Sequence, residues 1–198
     1  VELSDEQRHG LNTALSEATY VGLTIDEAAA TVRVELQVLA LPAEGPATEN
    51  RTVILALTGV GRIAASLRKK DWYDEDPIVE PLDLAGIDAA VRSFGGGALH
   101  GWEFFDLPDS SWTQWRELLS LDTKVSDQPA DHVVELYQQD GVGPRELDMR
   151  IWFTDVSIRN DGDADIPLQD FIDGGARWWD AHDHNDPRAV TAEVAPPL

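Results

Sequence analysis

Apolar and polar residues alternate with a period of two in several stretches of this chain, and that pattern commits those stretches to extended structure with one face on a core. Val32, Val34, Leu36 and Val38 alternate with Arg33, Glu35 and Gln37, while Val21, Leu23 and Ile25 precede them with Gly22 and Thr24 between. Asp26-Glu27-Ala28-Ala29-Ala30 between these runs predicts a short turn. Val53 to Leu57 is apolar on both faces and reads as a central strand. Past Gly59 and Gly61, Arg62 to Arg68 either continues that strand beyond a glycine bulge or starts a helix. Leu99 to Phe105 and Leu118 to Val125 read as extended, and Val133 to Tyr137 with Leu147 to Ile158 form a hairpin around a turn at 139–144. In its second arm Leu147, Met149, Ile151 and Phe153 share a face.

Helical spacing occurs twice. Asp83 is placed to cap a helix in which Leu84, Ile87, Val91 and Phe94 recur every three or four residues before Gly95-Gly96-Gly97. A last helix is predicted from Pro167 to about Trp179, with Leu168, Phe171, Ile172 and Trp179 facing the sheet. Tight turns outnumber crossovers, so the expected fold is α+β: mainly an antiparallel sheet or curved sandwich with about two packed helices. One domain over residues 1–198 is expected, with 187–198 a surface tail.

Composition narrows the chemistry. The chain has no cysteine, which excludes disulfides, thiolate metal sites and a thiol nucleophile. Its 37 acidic against 15 basic residues give a formal net charge of -22, which opposes binding to nucleic acid and to anionic lipid. The longest apolar stretch, Val53 to Val60, is far short of the roughly 20 residues that span a bilayer. With neither a basic nor an apolar leader at Val1 to Glu6, a cytoplasmic address is expected. The oligomeric state is not legible.

Two motifs name a chemistry. Gly59-Val60-Gly61-Arg62-Ile63-Ala64 follows an apolar strand and has Glu80 about twenty residues on, the outline of a dinucleotide turn in which glycines admit the pyrophosphate and an acid holds the ribose. Against it, only about eight residues are available for the crossover helix and no βαβαβ continuation follows; the other reading is a glycine bulge in a long strand. Asp180, His182, His184 and Asp186 form the second motif. In an extended segment the two imidazoles share a face and chelate a divalent metal, whereas in a continuing helix they diverge, as expected here. Asp161-Gly162-Asp163-Ala164-Asp165 begins like a calcium loop, but Ile166 and Ile172 stand where glycine and glutamate belong. Glu103 and Asp106 are a carboxylate pair beside aromatic residues. No cofactor is expected.

Seven tryptophans are many for this length, and Trp72, Trp112 and Trp115 are candidates for an exposed binding surface. Leu57 to Ala64, Ser93-Phe94-Gly95-Gly96, Leu99 to Asp106 and Trp115 to Leu121 together resemble a group of acidic, actinobacterial-type proteins of uncharacterised activity. That resemblance spans roughly residues 14–125 and brings no catalytic residue with it. Size, acidity and layout are also similar to immunity proteins that neutralise basic toxins. The expected function is a non-enzymatic, protein-binding or accessory domain with a basic protein partner; the alternatives are a dinucleotide-binding oxidoreductase or a His/Asp metal site.

Overall fold

A computed structural model describes residues 3–47, 51–69, 76–94, 101–105 (backbone only), 116–130, 132–139 and 145–190. The alternating runs form β1 (Thr19–Asp26) and β2 (Thr31–Gln37), and the apolar run forms β3 (Thr52–Thr58). Between β1 and β2, the Asp26 carboxylate accepts from the Ala29 amide at 2.9 Å, a local bond that fixes the turn. The residues after Gly61 form β4 (Arg62–Lys69), extended rather than helical, but β4 belongs to a second sheet and does not extend β3 within its own sheet past a bulge. Short β5 (Ile78–Val79), then β6 (Gly101–Phe105) and β7 (Leu121–Lys124), follow. The hairpin is β8 (His132–Gln139) with β9 (Arg145–Phe153). The expected single arm from Leu147 to Ile158 breaks at Thr154, and β10 (Asp155–Asn160) belongs to the other sheet, followed by β11 (Asp165–Ile166).

Among the described residues the strand pairings are antiparallel. One sheet runs β1-β2-β3-β10-β11; the other runs β5-β4-β9-β8-β6, with β7 on β4. β3 continues into β4 and β9 into β10 at the same level, so a pair of long strands bends from one sheet into the other. Gly59, at φ 61°, forms one side of the bend and Thr154 the other; the Thr154 amide donates to the Thr58 carbonyl at 3.0 Å. The inner faces enclose the core: Val32, Val34, Leu36, Val53, Leu55 and Leu57 from one sheet, Ile63, Leu67, Leu147, Met149, Ile151 and Phe153 from the other.

Three α-helices are described, one more than the sequence reading placed. The additional one, α1 (Asp5–Leu15), opens with a capping box in which the Ser4 hydroxyl accepts from the Gln7 amide and the Gln7 side chain accepts from the Ser4 amide. Asp83 caps the 3₁₀ turn Leu84–Gly86, which leads into α2 (Ile87–Arg92). Ile87, Val91 and Phe94 enter the core. Asp88 pins α2 to β1 by accepting from the Tyr20 hydroxyl at 2.7 Å and the Leu23 amide at 2.8 Å. Burial pulls its carboxyl upward, but hydrogen bonds from Arg92, Tyr20 and Leu23 outweigh that and leave it below the usual range. The last helix, α3 (Leu168–Asp183), turns Trp178 rather than Trp179 fully inward. Its Ala181 and Trp178 meet Ala189 of a second 3₁₀ turn, Pro187–Ala189, so the expected surface tail begins with a packed segment.

α1 and α3 approach so closely that a Cβ on Gly175 would stand 2.5 Å from the Ala14 Cα, whereas one on Gly174 would meet its nearest neighbours at ordinary distances of 3.6–3.7 Å. Adjacent substitutions are therefore expected to diverge. Gly175→Ala forces the helices apart and costs about 1–3 kcal/mol, while Gly174→Ala gains up to about 1 kcal/mol of helix propensity. Urea unfolding of the two variants measures the difference, and equal midpoints would contradict the close crossing.

Candidate functional site

The glycine turn is occupied by its own protein. The place a Cβ would take on Gly61 lies 2.9 Å from the Gln128 carbonyl oxygen, and the Gly61 carbonyl accepts from the Val125 amide at 2.8 Å. β4 takes the stretch a crossover helix would need, so no helix N-terminus faces the turn. Glu80 lies at the far end of β4, where its amide donates to the Leu67 carbonyl at 2.8 Å. Six residues of extended strand, roughly 20 Å, separate that point from Gly61. The Glu80 carboxylate pairs with Lys69 at 3.0 Å and Arg145 at 3.1 Å, and the Lys69 hydrogen bond above all holds it below the usual carboxylate range. The three residues of the dinucleotide reading are therefore not brought together.

The histidine motif is held apart in a different way. α3 runs on to Asp183, and the His182 ring stacks on Trp178 with centroids 5.2 Å apart. His184 caps the helix and its Nδ1 donates to the Asp180 carbonyl at 2.7 Å, which raises the imidazole above its ordinary value. Asp186 accepts from the Arg188 amide and guanidinium at the start of the 3₁₀ turn. Among the described residues, no group of three or more His, Asp or Glu is arranged to hold a metal ion. Trp72, Trp112, Trp115 and Asp106 lie outside the described residues, as does the side chain of Glu103 on β6.

A charged layer that the sequence reading did not single out covers the outward face of the second sheet. Ser66 and Arg68 of β4 stand opposite Asp148 and Glu146 of β9, which stand opposite Tyr137 and Gln139 of β8. Arg68 is 4% exposed, yet it donates to Ser66 at 2.9 Å, to Glu146 at 2.9 Å and to Asp148 at 2.6 Å. Arg150 pairs with Glu135 alongside. Residues 116–120 close over the layer: the Ser66 hydroxyl donates to the Leu118 carbonyl, and the Ser120 hydroxyl accepts from the Leu67 amide. Burial raises Asp148, overriding Arg68, and burial also raises the Tyr137 phenol. Each arginine is bonded to carboxylates of its own layer, so the layer fixes strand register and cover rather than presenting charge to a substrate.

Two concave surfaces flank α3. One is a groove of about 730 Å³ between α1 and α3, floored by Gly10, Ile172 and Ala176 and edged by Glu6 and Asp173, with no lysine or arginine among its described lining residues. α1 carries two acids and α3 four, against one arginine each. The other is a hollow of about 390 Å³ on the opposite side of α3, against the β2–β3 connection and the β10–β11 edge. Neither was legible as a site. The Ser4-Asp5-Glu6-Gln7 capping-box signature is the signal that locates α1 and, with it, the groove. Comparison with protein-family models, curated proteins and solved structures gives no match to this chain.

Proposed function

We propose that this protein is a non-enzymatic binding module for a basic protein, and that the α1–α3 groove is where the partner docks. The groove's edge of Glu6 and Asp173, on a chain with a net charge of -22, is the observation that carries the reading. A cationic side chain entering there meets carboxylates without displacing a lysine or arginine from the described lining, and the field of the whole chain speeds its approach. The apolar floor of Ile172 and Ala176 gives the aliphatic stem of a lysine or arginine something to cover. The analogy with immunity proteins that neutralise basic toxins points the same way.

An arginine-rich peptide, titrated against isotopically labelled protein at low salt, is the probe. Amide shifts centred on Gly10, Thr13, Asp173 and Ala176 are expected. Reversing both edge charges, Glu6→Lys with Asp173→Lys, is expected to weaken binding about tenfold or more, and affinity should fall steeply as salt shortens the Debye length. Shifts scattered over the whole acidic surface, unchanged by the double reversal, would refute the groove as the docking site.

A further inference from the structure

We propose that the hollow on the other face of α3 is a binding site for a free apolar α-amino acid. Its walls are apolar, with Leu41, Val53, Ile166 and Phe171 among them, and about 390 Å³ lies within the range of small-molecule pockets. Its rim carries charges of both signs, Arg177 and Arg51 with Asp170 and Asp161. Asp170, Gly174 and Arg177 fall at positions i, i+4 and i+7 of α3 and so share one face.

The wall is already tied in place. The Leu41 amide donates to the Gly174 carbonyl at 3.0 Å, and Arg177 Nε donates to the Leu41 carbonyl at 3.0 Å. That leaves the two terminal nitrogens of Arg177, and the Asp170 carboxylate, with no hydrogen bond or ion pair among the described residues. Arg177 reaches back along the helix, one terminal nitrogen lying 3.7 Å from where a Cβ of Gly174 would stand. The guanidinium therefore lies near the level of Gly174, one turn of α3 beyond the backbone of Asp170. The adjacent ammonium and carboxylate of an α-amino acid, with a charge-assisted bond of about 2.8 Å at each end, span such a gap. A side chain then fills the apolar hollow. A chain at -22 repels a simple anion at long range, while a zwitterion carries no net charge to repel.

Calorimetric titration of the full chain with L-leucine, L-valine and L-phenylalanine tests this, with leucinamide and N-acetyl-leucine as probes lacking one charge each. At least one of the three amino acids is expected to bind with one-to-one stoichiometry, and the two blocked leucines at least about tenfold more weakly than leucine. Asp170→Asn and Arg177→Met should each weaken the amino acid about tenfold or more. Gly174→Ala, which intrudes into the hollow, should weaken it without lowering the unfolding midpoint. No binding of any of the three at about 10 mM, or binding unchanged in both charge variants, overturns the proposal. Because the groove lies on the other side of α3, a failed peptide titration there leaves this result readable by itself.

Discussion

Replacing Arg68 with alanine is expected to remove about 3–5 kcal/mol of folding stability. The guanidinium is buried in the charged layer, and its loss strands Asp148, 7% exposed, beside Glu146 with no cation between them. Such a loss is dominated by desolvation left uncompensated, so the double variant Arg68→Met with Asp148→Leu should cost less than the single one. The cost is also expected to depend on pH. Asp148 has a folded pKa above its unfolded value, so between the two the folded state holds more protons and stability falls as pH rises through that window. Without Arg68 the carboxyl rises further, and protonation relieves the stranded charge. Denaturant unfolding of both proteins should therefore give a difference that is largest near neutrality and shrinks toward the ordinary aspartate range, near 4. A difference that grows in acid would mean that Asp148 is not the group left exposed to the deletion.

Gly59→Ala is expected to cost about 2–5 kcal/mol, from two sources. The backbone at φ 61° is left-handed, where an L side chain is strained. A Cβ there would also stand 2.6 Å from Thr154 Oγ1 and 2.8 Å from Thr154 Cβ. Thr154 cannot simply swing away, because its hydroxyl donates to the Pro129 carbonyl at 2.9 Å and its amide to Thr58. A double-mutant cycle with Thr154→Gly separates the contributions: the contact disappears in the double variant and the conformational strain stays. A coupling near zero would show that backbone strain alone makes alanine unwelcome, and a single variant as stable as the parent would mean that the sheets do not bend here. The same glycine that suggested a cofactor turn thus acts as a corner between sheets.

Much of the architecture is written locally. Alternation along Val32 to Leu36 makes β2, because every second side chain of a strand shares a face, and the three- and four-residue spacing of Leu168, Phe171 and Ile172 makes α3 in the same way. Asp83 and Ser4 mark helix starts because their oxygens satisfy amides only three residues away. What local pattern does not carry is the partner. The apolar run from Leu147 to Ile158 contains nothing that says it divides at Thr154 between two sheets; that follows from pairing with β4 on one side and β3 on the other, nearly a hundred positions earlier in the chain. Trp178 and Trp179 are equally apolar, and only the approach of Leu41 and Ala189 buries the first fully. Arg68 and Asp148 look like two of many solvated charges until the register of β4 on β9 and the cover of residues 116–120 put them together out of water. Period and caps come from bonds between near neighbours, which the sequence by itself determined, whereas the bend, the buried charges and the two surfaces beside α3 come from contacts between distant segments, which only the tertiary structure decided.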